Sequence, residues 1–566
     1  MDKRTILAVV LSIAVFLAYQ MFFATPPPPK QAAPVQESKQ VSKDTPAKPP
    51  ATTATATAPK YAAKQTSAKK EAAPKDIKVE TENYTAIFST KGAALKSFQL
   101  KGYQKECTEC TDDIYPVIKN FITGAKPPAK AKSKELIELV AVNEAMPYPL
   151  AITFPESAAQ IAADSIYDTD VTKLDMKNAK EKQRLVFSRI FNGKIKVEKI
   201  FTFNPDNYSI TLDVKVSNLT DTPLIQIPHL NWYQYVDPKQ EADKYGHEGP
   251  VAYVSKSIKR KKVSDISADT SLGPDVSWGG FEQKYFMAVI IPQDPSLTSF
   301  NMSKDSNNMV SLDLKGTKTI IPPDQSGLFS YTLFIGPKDY TLLKKQGISL
   351  EEAIEFDSFI PGLKWLSIAL LLFIKFLHQY VSNYGVAIII LTILIKLIFW
   401  PLGNISYRSM KEMQKLQPKI NDLKEKYKND KNKIGQETMA LYRSHKVNPM
   451  SGCLPILIQI PVFIGLYNTL LYAIELRHSP FFWWIQDLSA KDPYYITPII
   501  MGATQFIQQK MTPTVGDPMQ AKIMLLMPVV FTFIFLNFPA GLVIYWLLNN
   551  VLSIGQQYYI NRKLTN

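Results

Sequence analysis

Cysteine and histidine are scarce in this 566-residue chain, which holds three of the first and five of the second. Cys107 and Cys110 form a lone C-x-x-C and Cys453 stands far from both, so neither a second pair nor a nearby histidine completes a zinc tetrahedron. No metal site is expected, although an oxidising compartment would permit a disulfide between Cys107 and Cys110. His229, His247, His378, His445 and His478 lie far apart, and the sequence has no Walker loop, HExxH, nucleophile elbow or dinucleotide fingerprint. An enzyme active site is therefore unsupported, and no cofactor is called for.

Long apolar runs are also missing from most of the first two thirds, which are polar and rich in lysine. They crowd into residues 386–560, where Ile, Leu, Phe and Val runs suffice to cross a hydrocarbon core of roughly 30 Å, a distance of about 20 helical residues. The last third is thus a membrane domain. A formal charge of +15 invites nucleic acid, but the basic residues are spread over a linker, a polar domain and one helical loop without a zinc-finger or RNP motif.

At the N-terminus Lys3 and Arg4 precede the apolar run 6–23. No A-x-A pattern or lipobox cysteine follows, so residues 1–24 read as an uncleaved anchor with its start in the cytoplasm, a cleaved signal being the alternative. Residues 25–75 are Pro, Ala, Thr and Lys, too poor in bulky apolar groups to offset chain entropy, and form a flexible tether. From 76 to 345 short alternating runs such as 83–90, 194–203, 208–216 and 328–335 read as strands. With no helices between them, an antiparallel β-sandwich outside the cytoplasm is favoured.

Two apolar segments, 361–378 and 386–402, compete as the next crossing. If both crossed, the loop 403–448, with Arg408, Lys411, Lys415, Lys419, Lys424, Lys426 and further lysines, would lie outside, against the positive-inside rule. Residues 361–382 are therefore laid on the outer surface as an interfacial helix. The spans then become 386–402, 455–474, 495–509, 523–537 and 542–560, giving six with the anchor and placing both ends in the cytoplasm.

Within the five C-terminal spans Lys396 is the lone formal charge, with Thr392 one turn before it on the same face. A charge there costs about 2.5–3.5 kcal/mol on insertion scales. One reading has Lys396 stretch back to the headgroups. The other has it face a watery recess shared with polar groups such as Gln459, Asn468, Gln505, Asn549 and Asn550, each of which also suits plain interhelical hydrogen bonding. The loop 404–448 carries Met413, Leu416, Ile420, Leu423 and Tyr427 at helical spacing, then Ile434, Leu441 and Tyr442 after a break at 429–432, the pattern of a helical hairpin. Its basic face suits anionic phospholipids or ribosomal RNA, or is simply solvated.

Four stretches together resemble the YidC family of insertases, related to the Oxa proteins of mitochondria and the Alb proteins of chloroplasts. They are YRSMKEMQKLQPKI at 407–420, KVNPMSGCLPILIQIPVF at 446–463, WIQDLSAKDPYYI at 484–496 and FPAGLVIYW at 538–546. The resemblance implies a β-supersandwich in the periplasm of an inner-membrane protein, and a five-span core over 383–566. It also implies a hydrophilic groove open to cytoplasm and lipid, lined by Lys396, Thr392 and Gln459, with Phe463, Tyr545 and Trp546 as an apolar slide for the incoming segment. The family's usual arginine is Lys396 here, which keeps the charge and loses the planar fork; a family tyrosine is Trp546. Implied partners are newly made membrane-protein chains, the Sec translocon, and the ribosome through the basic hairpin. A transporter would show ionisable residues on several spans, and a sugar enzyme built on the β domain would need more than a shared fold.

Overall fold

The computed structural model describes residues 73–563 apart from 108–109, 111–133, 143–145, 158–160, 238–244, 267–269, 297, 358–361, 429, 446, 448–449 and 513–517. The expected anchor 1–24 and nearly all of the tether 25–75 lie outside the described residues.

Strand structure starts at Asp76–Glu80 and ends at Ser326–Pro337, in four sheets. The largest has eight antiparallel strands, and its centre pairs Ser326–Pro337 with Ser209–Asn218, segments more than a hundred residues apart in sequence. Two five-stranded sheets and a two-stranded ribbon complete the sandwich. A parallel pair joins Asp76–Glu80 to Lys173–Asp175, an addition to the antiparallel arrangement expected. Period-2 patterning fixes the faces: in Ile195–Phe203 residues Ile195, Val197, Phe201 and Phe203 point inward, while Lys196, Glu198, Ile200 and Thr202 are half-exposed. Lys199 takes an inward position and is fully buried, donating to the carbonyls of Gly92 at 3.0 Å and Leu150 at 2.6 Å. Phe88, Phe98, Phe154, Phe187, Trp232 and Phe300 fill the common core.

A second buried charge cluster sits where the sandwich passes into helices. Glu282 is wholly buried, accepting from Arg260 Nε at 2.6 Å and Lys338 Nζ at 3.0 Å, while Arg260 Nη2 reaches the Ala353 carbonyl at 2.7 Å. Burial alone would push the Glu282 carboxyl up, but Lys338 and Arg260 hold it below the usual carboxylate range. The cluster anchors the segment leading out of the sandwich: helix α1, Tyr340–Lys344, capped by Asp339 through Leu342 N, and a 3-10 turn at Leu350–Ala353.

Nine further helices follow among the described residues: α2 Lys364–Val381, α3 Tyr384–Ile398, α4 Trp400–Lys415, α5 Gln417–Lys426, α6 Lys431–Ser444, α7 Met450–Tyr472, α8 Ile496–Met511, α9 Pro518–Phe535 and α10 Ala540–Lys563. Ser382 in the left-handed region ends α2, and the Asn383 side chain accepts from Val386 N at 3.1 Å to start α3. The expected span 386–402 is interrupted: α3 stops at Ile398, and α4 departs at 59°. Pro401 in the first turn of α4 explains the break, since proline disfavours helical geometry in the residue before it and brings no N–H to continue a ladder.

Among the described residues α2 alone is by length and composition long and apolar enough to cross a bilayer, and α3 with α4 passes as a bent pair; Leu457–Tyr472 and Met524–Phe535 are shorter apolar stretches. α10 packs on α3 and α8, α8 on α9, and α7 on α2 and α4. At Gly502 a Cβ would collide with the Thr532 hydroxyl, so this glycine lets α8 and α9 approach. Met413, Leu416, Ile420 and Tyr442 bury one another where α4, α5 and α6 meet.

Candidate functional site

The bend after α3 puts Lys396 less than one helical turn before the break, directed at α10. Its Nζ donates to Ser553 Oγ at 2.6 Å. Ser553 in turn donates to the Asn549 carbonyl at 2.7 Å, and Asn549 Oδ1 accepts from Gln459 Nε2 on α7 at 3.4 Å. One turn beyond Ser553, Gln556 Nε2 bridges the Trp400 carbonyl and Asn404 Oδ1, both at 2.9 Å. Asn549, Ser553 and Gln556 are spaced i, i+4, i+7, so α10 offers a single polar stripe to α3, α4 and α7.

Thr392, one turn before Lys396, is buried with its hydroxyl turned back to the Ile388 carbonyl at 2.6 Å. Of the other amides singled out from the sequence, Asn550 faces α8, donating to the Met501 carbonyl at 3.3 Å. Asn468 donates to the Phe356 carbonyl at 2.8 Å, a hydrogen bond to the segment before α2. Asn550 acts as an interhelical tie, Asn468 holds α7 to that segment, and both lie outside the Lys396 set. On α8 and α10, Gln505 Oε1, Gln509 Nε2 and both amide atoms of Gln557 are buried without a hydrogen-bond partner among the described residues.

The three expected slide residues meet. Phe463 stands edge-on to Trp546 at 4.7 Å between ring centroids and 6.4 Å from Tyr545. Phe535 packs on Trp546 at 5.1 Å. Tyr545 is buried, while Phe463 and Trp546 are half-buried. Beyond this cluster the loop between α7 and α8 is tightly built: the Asp492 carboxylate, fully buried, accepts from Trp484 Nε1, Tyr494 N, Thr497 N and Thr497 Oγ1 at 3.1, 2.9, 2.7 and 2.7 Å. Ala540 N and Gly541 N then bond the Ala490 and Leu488 carbonyls, fastening the loop to the start of α10.

Ser553 and Gln556 were not expected from the sequence, although their spacing from Asn549 is the signal that reveals them. Cys107 and Cys110 are bonded to each other in the structure. Among the described residues no three His, Cys, Asp or Glu side chains gather as a metal site.

Comparison with known proteins follows the same division of the chain. Residues 376–566 match the family model described as 60Kd inner membrane protein, and residues 128–370 the one described as YidC periplasmic domain. The membrane protein insertase YidC of Syntrophus aciditrophicus is 58% identical over 100% of both chains, and that of Citrifermentans bemidjiense 41% identical, again over 100% of both. A crystal structure of an active YidC insertase with its first transmembrane domain resolved aligns at 20% identity and a TM-score of 0.34, covering 86% of this chain and 92% of that one. Fold and matches together define an inner-membrane protein with a β-sandwich domain in the periplasm. Within that class the chain belongs to the YidC family of membrane protein insertases, and its function is the insertion of proteins into the membrane.

Proposed function

We propose that insertion proceeds through a polar recess formed where α3, α4, α7 and α10 converge, with Lys396 as its cation and Thr392, Gln459, Asn549, Ser553 and Gln556 as its lining. The observation that carries this reading is the Lys396 to Ser553 hydrogen bond, which turns the ammonium toward the polar stripe of α10. A lysine serving only to reach the headgroups gains nothing from a partner on another helix.

In this mechanism the hydrophilic tail of a client enters the recess and has a shorter apolar path to cross. Its apolar segment meanwhile moves into lipid past Phe463 and Trp546. Transfer of apolar surface at about 25 cal/mol per Å² supplies the drive without nucleotide hydrolysis. Lys396 attracts acidic groups in the tail as a point charge, since an ammonium lacks the fork for bidentate grip. The closed outer loop around Asp492 accords with a recess open only to cytoplasm and lipid.

The reading includes a six-span topology, the cytoplasmic hairpin of α5 and α6 as the contact for ribosome or anionic phospholipid, and action alone or beside the Sec translocon. It lays α2 on the outer surface. Lys364 Nζ meets Glu352 at 2.5 Å and Lys375 Nζ meets Asp339 at 2.8 Å. These lysines are eleven residues apart, three turns and about 16 Å along one face, and both carboxylates belong to the segment leaving the sandwich. A helix held at two such points lies along the sandwich. The test is crosslinking from positions 396, 463 and 546 to a stalled client chain: adducts at all three support the recess, and none at 396 overturns it.

A further inference from the structure

Between the sandwich and α2 lies a cavity of about 550 Å³ that shares no lining residue with the recess. Its size is that of a small-molecule site. The floor is Leu372 and Phe376, and the walls include Tyr103, Tyr208, Lys345 and Gln379. Asp339 and Lys375 also face it.

The floor continues out of the cavity. Trp365, Leu372, Phe376 and Tyr380 are 66%, 45%, 49% and 72% exposed, and their spacing of seven, four and four residues places them on one face of α2. An aromatic stripe of this kind suits the membrane interface. The cavity thus opens beside a lipid-facing surface, with an apolar base and a polar roof.

Its charges are separated. Lys375 is committed to two carboxyl groups, Asp339 at 2.8 Å and Glu475 at 2.7 Å, so that corner has no cation to spare for a ligand's anionic group. Lys345, at the other end of α1 from Asp339, is exposed and has no ion-pair partner among the described residues. A ligand matching this lining needs an anionic group for Lys345, a cationic hydrogen-bond donor for Asp339 and an apolar part for Leu372 and Phe376.

We propose that this cavity binds the headgroup of a zwitterionic glycerophospholipid bearing a primary ammonium, a phosphoethanolamine lipid of the outer leaflet. Its phosphate pairs with Lys345, its ammonium donates to Asp339 and the Gln379 side-chain carbonyl, and its acyl chains leave over Leu372 and Phe376. A choline headgroup keeps the charge and has no N–H to donate. A phosphoglycerol headgroup brings a net negative charge to the Asp339 and Glu475 corner. The proposal rests on α2 lying at the outer membrane surface, and its test separates the two claims.

The full chain is placed in vesicles containing photoactivatable ethanolamine, choline or glycerol phospholipid at equal fraction, and the labelled peptides are mapped. All three lipids are expected to label the stripe at 365–380. Only the ethanolamine lipid labels 339–345 strongly, roughly tenfold above the others. In Lys345→Glu that labelling falls to the level of the other two while the stripe stays labelled. Lys344→Glu, whose ammonium lies over the Tyr340 ring, leaves it intact. Equal labelling of 339–345 by all three lipids, a preference for the glycerol lipid, or equal losses in the two variants overturns the pocket while keeping α2 at the surface. A stripe labelled by none of the lipids overturns both.

Discussion

Lys396 on α3 and Ser553 on α10 are joined by a 2.6 Å hydrogen bond between residues 157 apart in sequence. The bond fixes where the one charged side chain of α3 points, and the expected consequences of changing it are specific.

Lys396→Ala and Lys396→Glu should slow insertion of clients with short acidic tails, the glutamate more severely, by about tenfold. Lys396→Arg should retain activity. Ser553→Ala removes one partner and leaves the charge, so it should have a smaller effect than either. Insertion into reconstituted vesicles measures all four, and wild-type rates in both Lys396→Ala and Lys396→Glu would sink the recess.

A photoreactive phenylalanine at Phe463 or Trp546 should capture a passing client segment, whereas the same group at Tyr545 should not. Tyr545 is only 2% exposed and its ring is enclosed by its neighbours. Comparable adducts from all three positions would contradict the proposed division between contact and support.

Burial lowers the Lys199 ammonium to about 7. In the unfolded chain the same group titrates at about 10.4. Between these values the unfolded state binds the extra proton, so this residue makes stability rise with pH from about 7 to about 10.4. Below that window both states are charged and the full cost of burial is felt. Lys199→Met should flatten this rise, which amounts to a few kcal/mol on the order of 1.4 kcal/mol per pH unit. Urea unfolding of the detergent-solubilised chain at pH 7 and pH 9.5 reads the difference.

Removing Lys338 leaves Glu282 buried with half its compensation. Lys338→Met should cost about 3–5 kcal/mol, the usual result of stranding a buried charge. Adding Glu282→Gln to that variant should restore part of the loss, because the stranded carboxylate is then gone. A double-mutant cycle on thermal unfolding decides it, and additive losses would mean the pair is uncoupled.

Much of this was legible in the sequence for physical reasons. Lys396 stands out because one charge in a run of Ile and Leu has no neighbour to hide it, and the alternation from Ile195 to Phe203 declares a strand with one buried face. Other features resist such reading. Ser553 and Gln556 are ordinary residues in a helix rich in amides, and only the fold shows that their face meets α3 and α4. The span expected at 386–402 ran four residues past the true end of α3, since hydropathy continues through Phe399 and Trp400 while backbone geometry does not. Lys199 looks like a surface residue until the register is known. The pairing of Ser326–Pro337 with Ser209–Asn218 depends on contacts that no local pattern encodes.

The Lys375 ammonium, carried on α2, joins two further pieces of chain: Asp339 at the exit of the sandwich, and Glu475 just past the C-terminal end of α7. α7 also carries Gln459 and Phe463. With the Tyr285 hydroxyl donating to the Leu471 carbonyl on α7 at 3.4 Å, this rivet couples a tilt of the periplasmic body to the helix that borders the proposed client path. A load applied to the sandwich is thereby geared to the proposed recess.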